Sequence, residues 1–236
     1  MSDKIIVGIH QPNFMPWVGY FYKIHRASDF VFLDNIQIET KSKQAFVNRV
    51  KVNTGAGETW LTCPISKEKS TSKLIMDIQF VDKFDWRQKI LKTLFYNYKK
   101  CLYFNDIYPF IEKLICSDYQ HLGTYNSEII MALSKAIGLK TSFHFSSKMN
   151  LLSQEKNERL IEICNKLNSC IYLSGKGGMQ YHNQELFNNS GITYLDLNFH
   201  HPIYSTNKEF RKGLSIIDAL FHLGFKGVQE LLIQPN

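Results

Sequence analysis

No stretch of the chain approaches the roughly 20 consecutive apolar residues of a membrane span, and no signal-type apolar run follows Met1–Lys4. The expectation is a soluble, cytoplasmic protein. Cysteine is scarce as well. Cys63, Cys101, Cys116, Cys164 and Cys170 are an odd five, with no C-x-x-C pair and no cysteine–histidine cluster at zinc spacing. Their mostly apolar neighbours predict buried, reduced thiols, and no metal site is expected. His200-His201 is the one adjacent histidine pair, and on an extended segment the two rings point to opposite faces. Internal repeats and low-complexity tracts are absent. So are G-x-S-x-G, H-E-x-x-H, the kinase signatures, G-x-x-x-x-G-K-[ST] and G-x-G-x-x-G. The local marks of α/β-hydrolases, zincins, kinases, P-loop proteins and dinucleotide binders are therefore missing.

What the chain does have is core material and positive charge. Apolar residues are 44% of 236 and aromatics 14%, enough for a hydrophobic core without staples. Twenty-eight Lys and Arg against 21 Asp and Glu give a net charge of +7, which favours anionic partners such as phosphorylated metabolites, RNA or a membrane surface.

The apolar run Ile5–Ile9 predicts a buried strand that stops at His10-Gln11-Pro12-Asn13. A helix follows from Pro16 to about Ala27, with Trp17, Tyr20, Phe21, Ile24 and His25 at helical spacing. Phe30–Leu33 predicts a second strand ending at Asp34. Strand, loop, helix and strand within about 30 residues make a βαβ unit with parallel strands. Residues 38–85 are polar and lysine-rich, with strands expected at Trp60–Ile65 and Lys73–Phe80. From Asp85 to Ile137 the pattern is helical, stopping at Gly138. One face carries Ile90, Leu91, Leu94 and Tyr98; another Ile107, Phe110, Leu114 and Ile115; a third Ile129, Ile130, Leu133 and Ile137. Strands are expected at Thr141–Ser146, Cys170–Ser174 and Ile192–Leu197, and helices at Asn157–Leu167 and from Ser215 to near Gly224. The expected class is α/β: a single domain over 1–236, a Rossmann-like parallel sheet with an N-terminal βαβ unit and a mostly helical middle region at about 86–138.

Ligand crevices in such sheets lie at the carboxyl ends of the strands. That rule singles out His10 and Gln11 on a proline-fixed loop, with Trp17 and Tyr20 as core anchors or stacking platforms. Histidine there suits a general base, an acid or a hydrogen-bond donor; satisfying the strand end is the simpler role. Asp34, with Gln37 behind it, fits a ribose ligand, a metal ligand, an orienter of His10 or a turn cap. Lys41, Lys43, Asn48, Arg49 and Lys51, with Lys67, Lys69 and Lys73, form either a phosphate clamp or a solvated face. Ser174-Gly175-Lys176-Gly177-Gly178 resembles a phosphate-cradling loop in kind, and a tight turn needs glycines too. His200-His201-Pro202-Ile203-Tyr204 is a rigid aromatic–imidazole loop. Tyr96-Asn97-Tyr98-Lys99-Lys100 interleaves aromatics with lysine as single-stranded RNA binders do.

Two resemblances follow. Strand, histidine loop, helix and strand is how nucleotidyltransferases of the HxGH type begin, although Pro16 and Trp17 replace a second histidine and Ser70-Thr71-Ser72-Lys73 matches their second motif only faintly. The fuller match runs along the whole chain. Ile9-His10-Gln11-Pro12, Pro16-Trp17-Val18-Gly19-Tyr20, Phe32-Leu33-Asp34 with Gln37, Asn48-Arg49, Trp60-Leu61, Tyr103-Phe104, Ser146-Ser147, Tyr172-Leu173-Ser174-Gly175, Tyr181, Gly191-Ile192, Pro202-Ile203-Tyr204 and Leu214–Asp218 resemble the WbqC-like proteins. Lys176 and Lys43-Gln44-Ala45-Phe46 depart from that pattern and bear on substrate choice.

Members of that family are found among genes for bacterial surface polysaccharide, O-antigen and capsule. The resemblance therefore implies a cytoplasmic transferase that forms an amide on the amino group of a nucleotide-linked amino sugar. It would use His10 as base, Asp34 as its orienter or a ribose ligand, and Gln11 as an oxyanion donor. Substrate contacts would fall to Trp17, Tyr20, Gln37, Asn48, Arg49, Ser174, Gly175, Lys176, Tyr181, His201 and Tyr204. The donor would be a coenzyme A thioester, an acyl or aminoacyl carrier protein, or aminoacyl-tRNA. A non-catalytic RNA- or carrier-binding accessory is the contrasting expectation, and apolar helix faces leave a homo-oligomer open.

Overall fold

The structure is a computed structural model that describes residues 4–38, 45–66, 74–81, 85–175, 182–204 and 211–233. Five strands form one parallel sheet: β1 (Ile6–His10), β2 (Asp29–Phe32), β5 (Ser142–Phe145), β6 (Ile171–Ser174) and β7 (Thr193–Asp196), in the order β5-β2-β1-β6-β7. The chain thus moves outward from β1 in one direction, then returns and moves outward in the other. Right-handed crossovers then require helices on opposite faces of the sheet. Side chains obey this. Phe30 and Phe32 of β2 join a core with α1 (Val18–Arg26), while Val7, Ile9 and Val31 join a second core with α5 (Lys156–Lys166) and α6 (Gln184–Asn189). Gly8 permits the close approach on the first face, since a Cβ there would meet the Phe30 ring at 3.0 Å and Ala27 Cβ at 3.2 Å.

The long β2–β5 connection occupies that same first face. It holds the antiparallel hairpin of β3 (Arg49–Thr54) and β4 (Gly57–Thr62), then α2 (Trp86–Tyr98), α3 (Phe104–Ile115) and α4 (Leu122–Ile137). Gly138, in the left-handed region at φ 87°, ends α4 where its sequence position predicts. Three further expectations are corrected. The strand expected over Lys73–Phe80 is a 3-10 turn at Ile75–Asp77, because Ile75 and Ile78, three residues apart, are the pair that enters the core. The helix expected to stop near Gly224 bends there (φ 69°, ψ 178°) and continues, so that α7 spans Ile216–Ile233 and buries Val228 and Leu232. Cys116 and Cys170 are exposed free thiols at element ends, whereas Cys63 and Cys164 are buried.

One buried polar cluster ties these parts together. Asp218, in the first turn of α7, accepts hydrogen bonds from the Tyr98 hydroxyl at 2.6 Å and the Tyr204 hydroxyl at 2.7 Å. The Tyr98 oxygen in turn accepts from the Asn53 backbone of β3, and its ring stacks on Phe221 at 4.6 Å. The alternating aromatics of residues 96–100 therefore divide: Tyr96 is exposed and Tyr98 is core. Tyr98→Phe removes a donor from a buried carboxylate. The expected cost is about 1–3 kcal/mol, read as a lower urea midpoint at unchanged slope.

Candidate functional site

Strand order reverses between β1 and β6, and the carboxyl ends of these two strands open a cavity of about 650 Å³. Its first wall is the loop after β1. Two prolines restrict that loop, and long-range hydrogen bonds hold it: Asn126 donates to the carbonyls of Pro12 and Val47, and the Ser215 hydroxyl donates to Met15 at 2.7 Å. The Tyr20 hydroxyl donates to the Gln11 carbonyl at 3.0 Å. His10 Nδ1 lies 3.0 Å from the same carbonyl. A carbonyl only accepts, so Nδ1 carries the proton and Nε2 keeps its lone pair. The ring packs edge-on to Tyr20 at 4.8 Å and Trp17 at 6.1 Å. Burial, reinforced by the Lys23 ammonium and opposed by the Gln11 carbonyl, lowers the His10 pKa to about 4. The imidazole is neutral at pH 7.

Lys23 is the residue that sequence reading missed. It is 3% exposed, lines the cavity, donates to the Ile9 carbonyl at 2.7 Å and sits 5.8 Å from the Tyr172 ring centre. Burial lowers its pKa from 10.5 to about 7. The available signal was its spacing, one helical turn from Tyr20 on the apolar face of α1.

The opposite wall starts at Ser174, which is fully buried and accepts from the Tyr194 hydroxyl while donating to the Gly175 carbonyl. His182 Nδ1 is 2.9 Å from the Tyr194 oxygen. Because the tyrosine proton goes to Ser174, His182 donates through Nδ1, and its Nε2 has no hydrogen-bond partner among the described residues. Burial, with Lys156 and Lys23, lowers the His182 pKa to about 4, against the opposing Glu155. Phe199, His200 and His201 from beyond β7, with Phe46 and Lys212, complete the lining. Among the described residues no Asp or Glu lines this cavity, whereas two lysines and four of the chain's eight histidines do. Asn13, also in the wall, has a buried Oδ1 with no hydrogen-bond partner among the described residues.

The cavity therefore gathers His10, Gln11, Trp17, Tyr20, Ser174, Gly175 and His201. The other sequence candidates lie elsewhere. Asp34 is buried and accepts from the Ser146 hydroxyl at 3.0 Å, the Ser147 backbone at 2.9 Å and the Ser147 hydroxyl at 2.6 Å. It latches the end of β2 to the turn after β5, and these bonds account for both its oxygens without His10. Gln37 is exposed, in a bridge to Leu74. Asn48 and Cys63 exchange hydrogen bonds at the open end of the β3–β4 hairpin. Arg49 donates to the Ala45 carbonyl and lies 4.5 Å above the Trp60 ring, which Lys51 also approaches at 5.3 Å. Tyr204 is engaged by Asp218. Lys176 and Tyr181, like Lys41, Lys43, Lys67, Lys69 and Lys73, lie outside the described residues. Among the described residues no group of three or more His, Cys, Asp or Glu is placed to hold a metal ion, and no helix is long and apolar enough to cross a membrane.

A family model described as the WbqC-like protein family matches residues 11–230. A curated relative, "Uncharacterized protein Rv1507c" of Mycobacterium tuberculosis (strain ATCC 25618 / H37Rv), is 26% identical over 221 residues, covering 92% of this chain and 94% of that protein. No solved structure matches the chain.

Three outcomes follow from the geometry. Asp34→Ala strands the serine donors of a buried latch and is expected to cost about 1.5–3 kcal/mol in chemical denaturation. Lys23 releases its proton near pH 7 when folded but near 10.5 when unfolded, so the unfolded chain binds more protons between these values and stability rises with pH across them. Thermal melts of Lys23→Met are expected to lack that rise. In acid, His10 resists protonation in the fold, so its stabilising contribution is complete above about pH 6.5 and falls away toward about 4.

Proposed function

The chain belongs to the WbqC-like protein family, and on that premise we propose that it is a transferase of bacterial surface-polysaccharide synthesis that binds a nucleotide-linked amino sugar in the switch-point cavity and forms an amide on its amino group. The observation that carries this reading is the cavity wall, which holds lysines and histidines and, among the described residues, no carboxylate. Such a lining suits a diphosphate, whose oxygens accept from Lys212 and the donor loops without opposing charge. Trp17 and Phe46, with ring centres 5.4 Å apart, offer flat apolar surface for a nucleobase.

Amide formation requires the acceptor amine to lose a proton before its nitrogen attacks the acyl carbon. His10 has the form for this: neutral, with Nδ1 tied to Gln11 and Nε2 free. The nitrogen–carbon bond forms, the carbonyl oxygen takes negative charge and the donor's thiolate or alkoxide leaves. Donors from the β1–α1 loop, including the Gln11 side chain, stabilise that oxygen. Asp34, outside the cavity, fixes the end of β2, the strand beside β1. The acyl donor is a coenzyme A thioester, an acyl or aminoacyl carrier protein, or aminoacyl-tRNA. Trp60, partly exposed beneath Arg49 and Lys51 and 6.0 Å from Phe46, extends the aromatic wall outward and suits a donor with a nucleotide end.

A thermal-shift panel of nucleotide-linked amino sugars, coenzyme A, ATP with Mg²⁺ and bulk tRNA tests the reading. A nucleotide sugar at 100-fold its dissociation constant adds about 2.7 kcal/mol. His10→Ala is expected to retain that shift and to lose amide formation. Absence of a shift with every nucleotide sugar would overturn the assignment; a shift with ATP alone would favour nucleotidyl transfer, and with tRNA alone an RNA-binding accessory.

A further inference from the structure

Lys23 is an expensive residue for its place. Its side chain leaves α1 on the apolar face and passes into the wall between β1 and β6, with 3% of the residue exposed. Among the described residues its acceptor is the Ile9 carbonyl, and no carboxylate lies within ion-pair distance. The groups that face it are Tyr172, His10 and His182, and both imidazoles are neutral at pH 7. A methionine would fill the same volume without desolvating a charge. The position thus holds a buried nitrogen, part of whose population lacks the third proton at neutral pH, opening onto a cavity large enough for a sugar phosphate.

We propose that Lys23 is an imine-forming lysine whose Nζ condenses with the aldehyde or ketone carbon of a phosphate-bearing ligand held in the cavity. The Nζ lone pair attacks the carbonyl carbon, and one amine hydrogen passes to the carbonyl oxygen to give a carbinolamine. The second amine hydrogen and the hydroxyl then leave as water while the carbon–nitrogen double bond forms. Protonation of that nitrogen by solvent restores one N–H for the Ile9 carbonyl, so the covalent state keeps the hydrogen bond of the free one. The acid-free lining, with Lys212, His200 and His201 beyond Phe199, selects an anionic carbonyl compound over a neutral one. This inference shares only the anion-binding cavity with the amide-forming reading and does not need the acyl transfer.

The test is covalent mapping on the full chain. The protein is incubated at neutral pH with pyridoxal 5′-phosphate or, in parallel, with pyridoxal; each sample is reduced with borohydride and its lysines are mapped by peptide mass spectrometry. Lys23 is expected to label on the order of 100-fold faster than the exposed Lys226, because a substantial share of its amine is unprotonated at neutral pH whereas an ordinary lysine is almost wholly protonated. Lys23→Met, with its fold checked by circular dichroism, is expected to lose that adduct alone. Labelling confined to exposed lysines in both arms would overturn the imine. Faster labelling by the phosphate form than by pyridoxal supports both the imine and the anion site. Equal rates support the imine and overturn the anion-selective cavity. A thermal shift with pyridoxal 5′-phosphate but no Lys23 adduct keeps the anion site and overturns the imine.

Discussion

β1 lies between β2 and β6, and both neighbours are parallel to it. A parallel partner can be reached only by a crossover, and right-handed crossovers to opposite sides must pack on opposite faces. The β1–α1–β2 unit and the helical β2–β5 connection therefore share one face, and α5 and α6 share the other. Among the described residues no crossover helix covers the gap between the carboxyl ends of β1 and β6, because the chain leaves them in opposite directions. The cavity, with His10 at the end of β1 and Ser174 at the end of β6, follows from that divergence.

The buried polar groups fall into two sets that differ in how completely they are bonded. Asp34 and Asp218 meet donors at both oxygens. Groups satisfied in this way specify the packing of one element on another, since a slipped arrangement would leave a charge or amide unpaired in a medium of low dielectric. Among the described residues of the cavity wall, Asn13 Oδ1 is unpartnered, His10 and His182 each hold one nitrogen by a hydrogen bond and leave the other open, and Lys23 has one acceptor. Unused bonding capacity costs stability, and in the cavity wall it lies where a bound ligand would use it.

The βαβ unit was legible because its apolar runs are short, bounded by proline or polar residues, and separated by a stretch of clear helical spacing. The three middle helices were legible for the same reason, as Ile90, Leu94, Ile129 and Leu133 recur at the period of a helix and are buried. Strand β3 was harder to see. Val50 and Val52 alternate with Arg49, Lys51 and Asn53, a half-buried pattern that its charges disguise as a basic loop. The break at Gly224 was seen and its consequence was not: a positive-φ residue, against which the Tyr103 ring packs, redirects the axis, and Val228 and Leu232 resume the apolar face on the far side.

By itself the order of apolar runs determined the parallel sheet, its N-terminal unit and the strand-end positions of His10, Gln11 and Ser174, because local periodicity and turn chemistry act over a few residues. Only the tertiary structure decided which of the polar candidates meet. Asp34 follows a strand just as His10 does, yet β5 lies beside β2 and supplies the serines that occupy its carboxylate. Tyr204 stands in the loop that also carries His201, yet α7 brings Asp218 to its hydroxyl. Lys23 reads in sequence as one more solvated charge on a basic chain, and becomes a buried amine only when β6 places Tyr172 beside α1. Charge state and partnership depend on what closes over a side chain, and that is set by contacts far apart in the sequence.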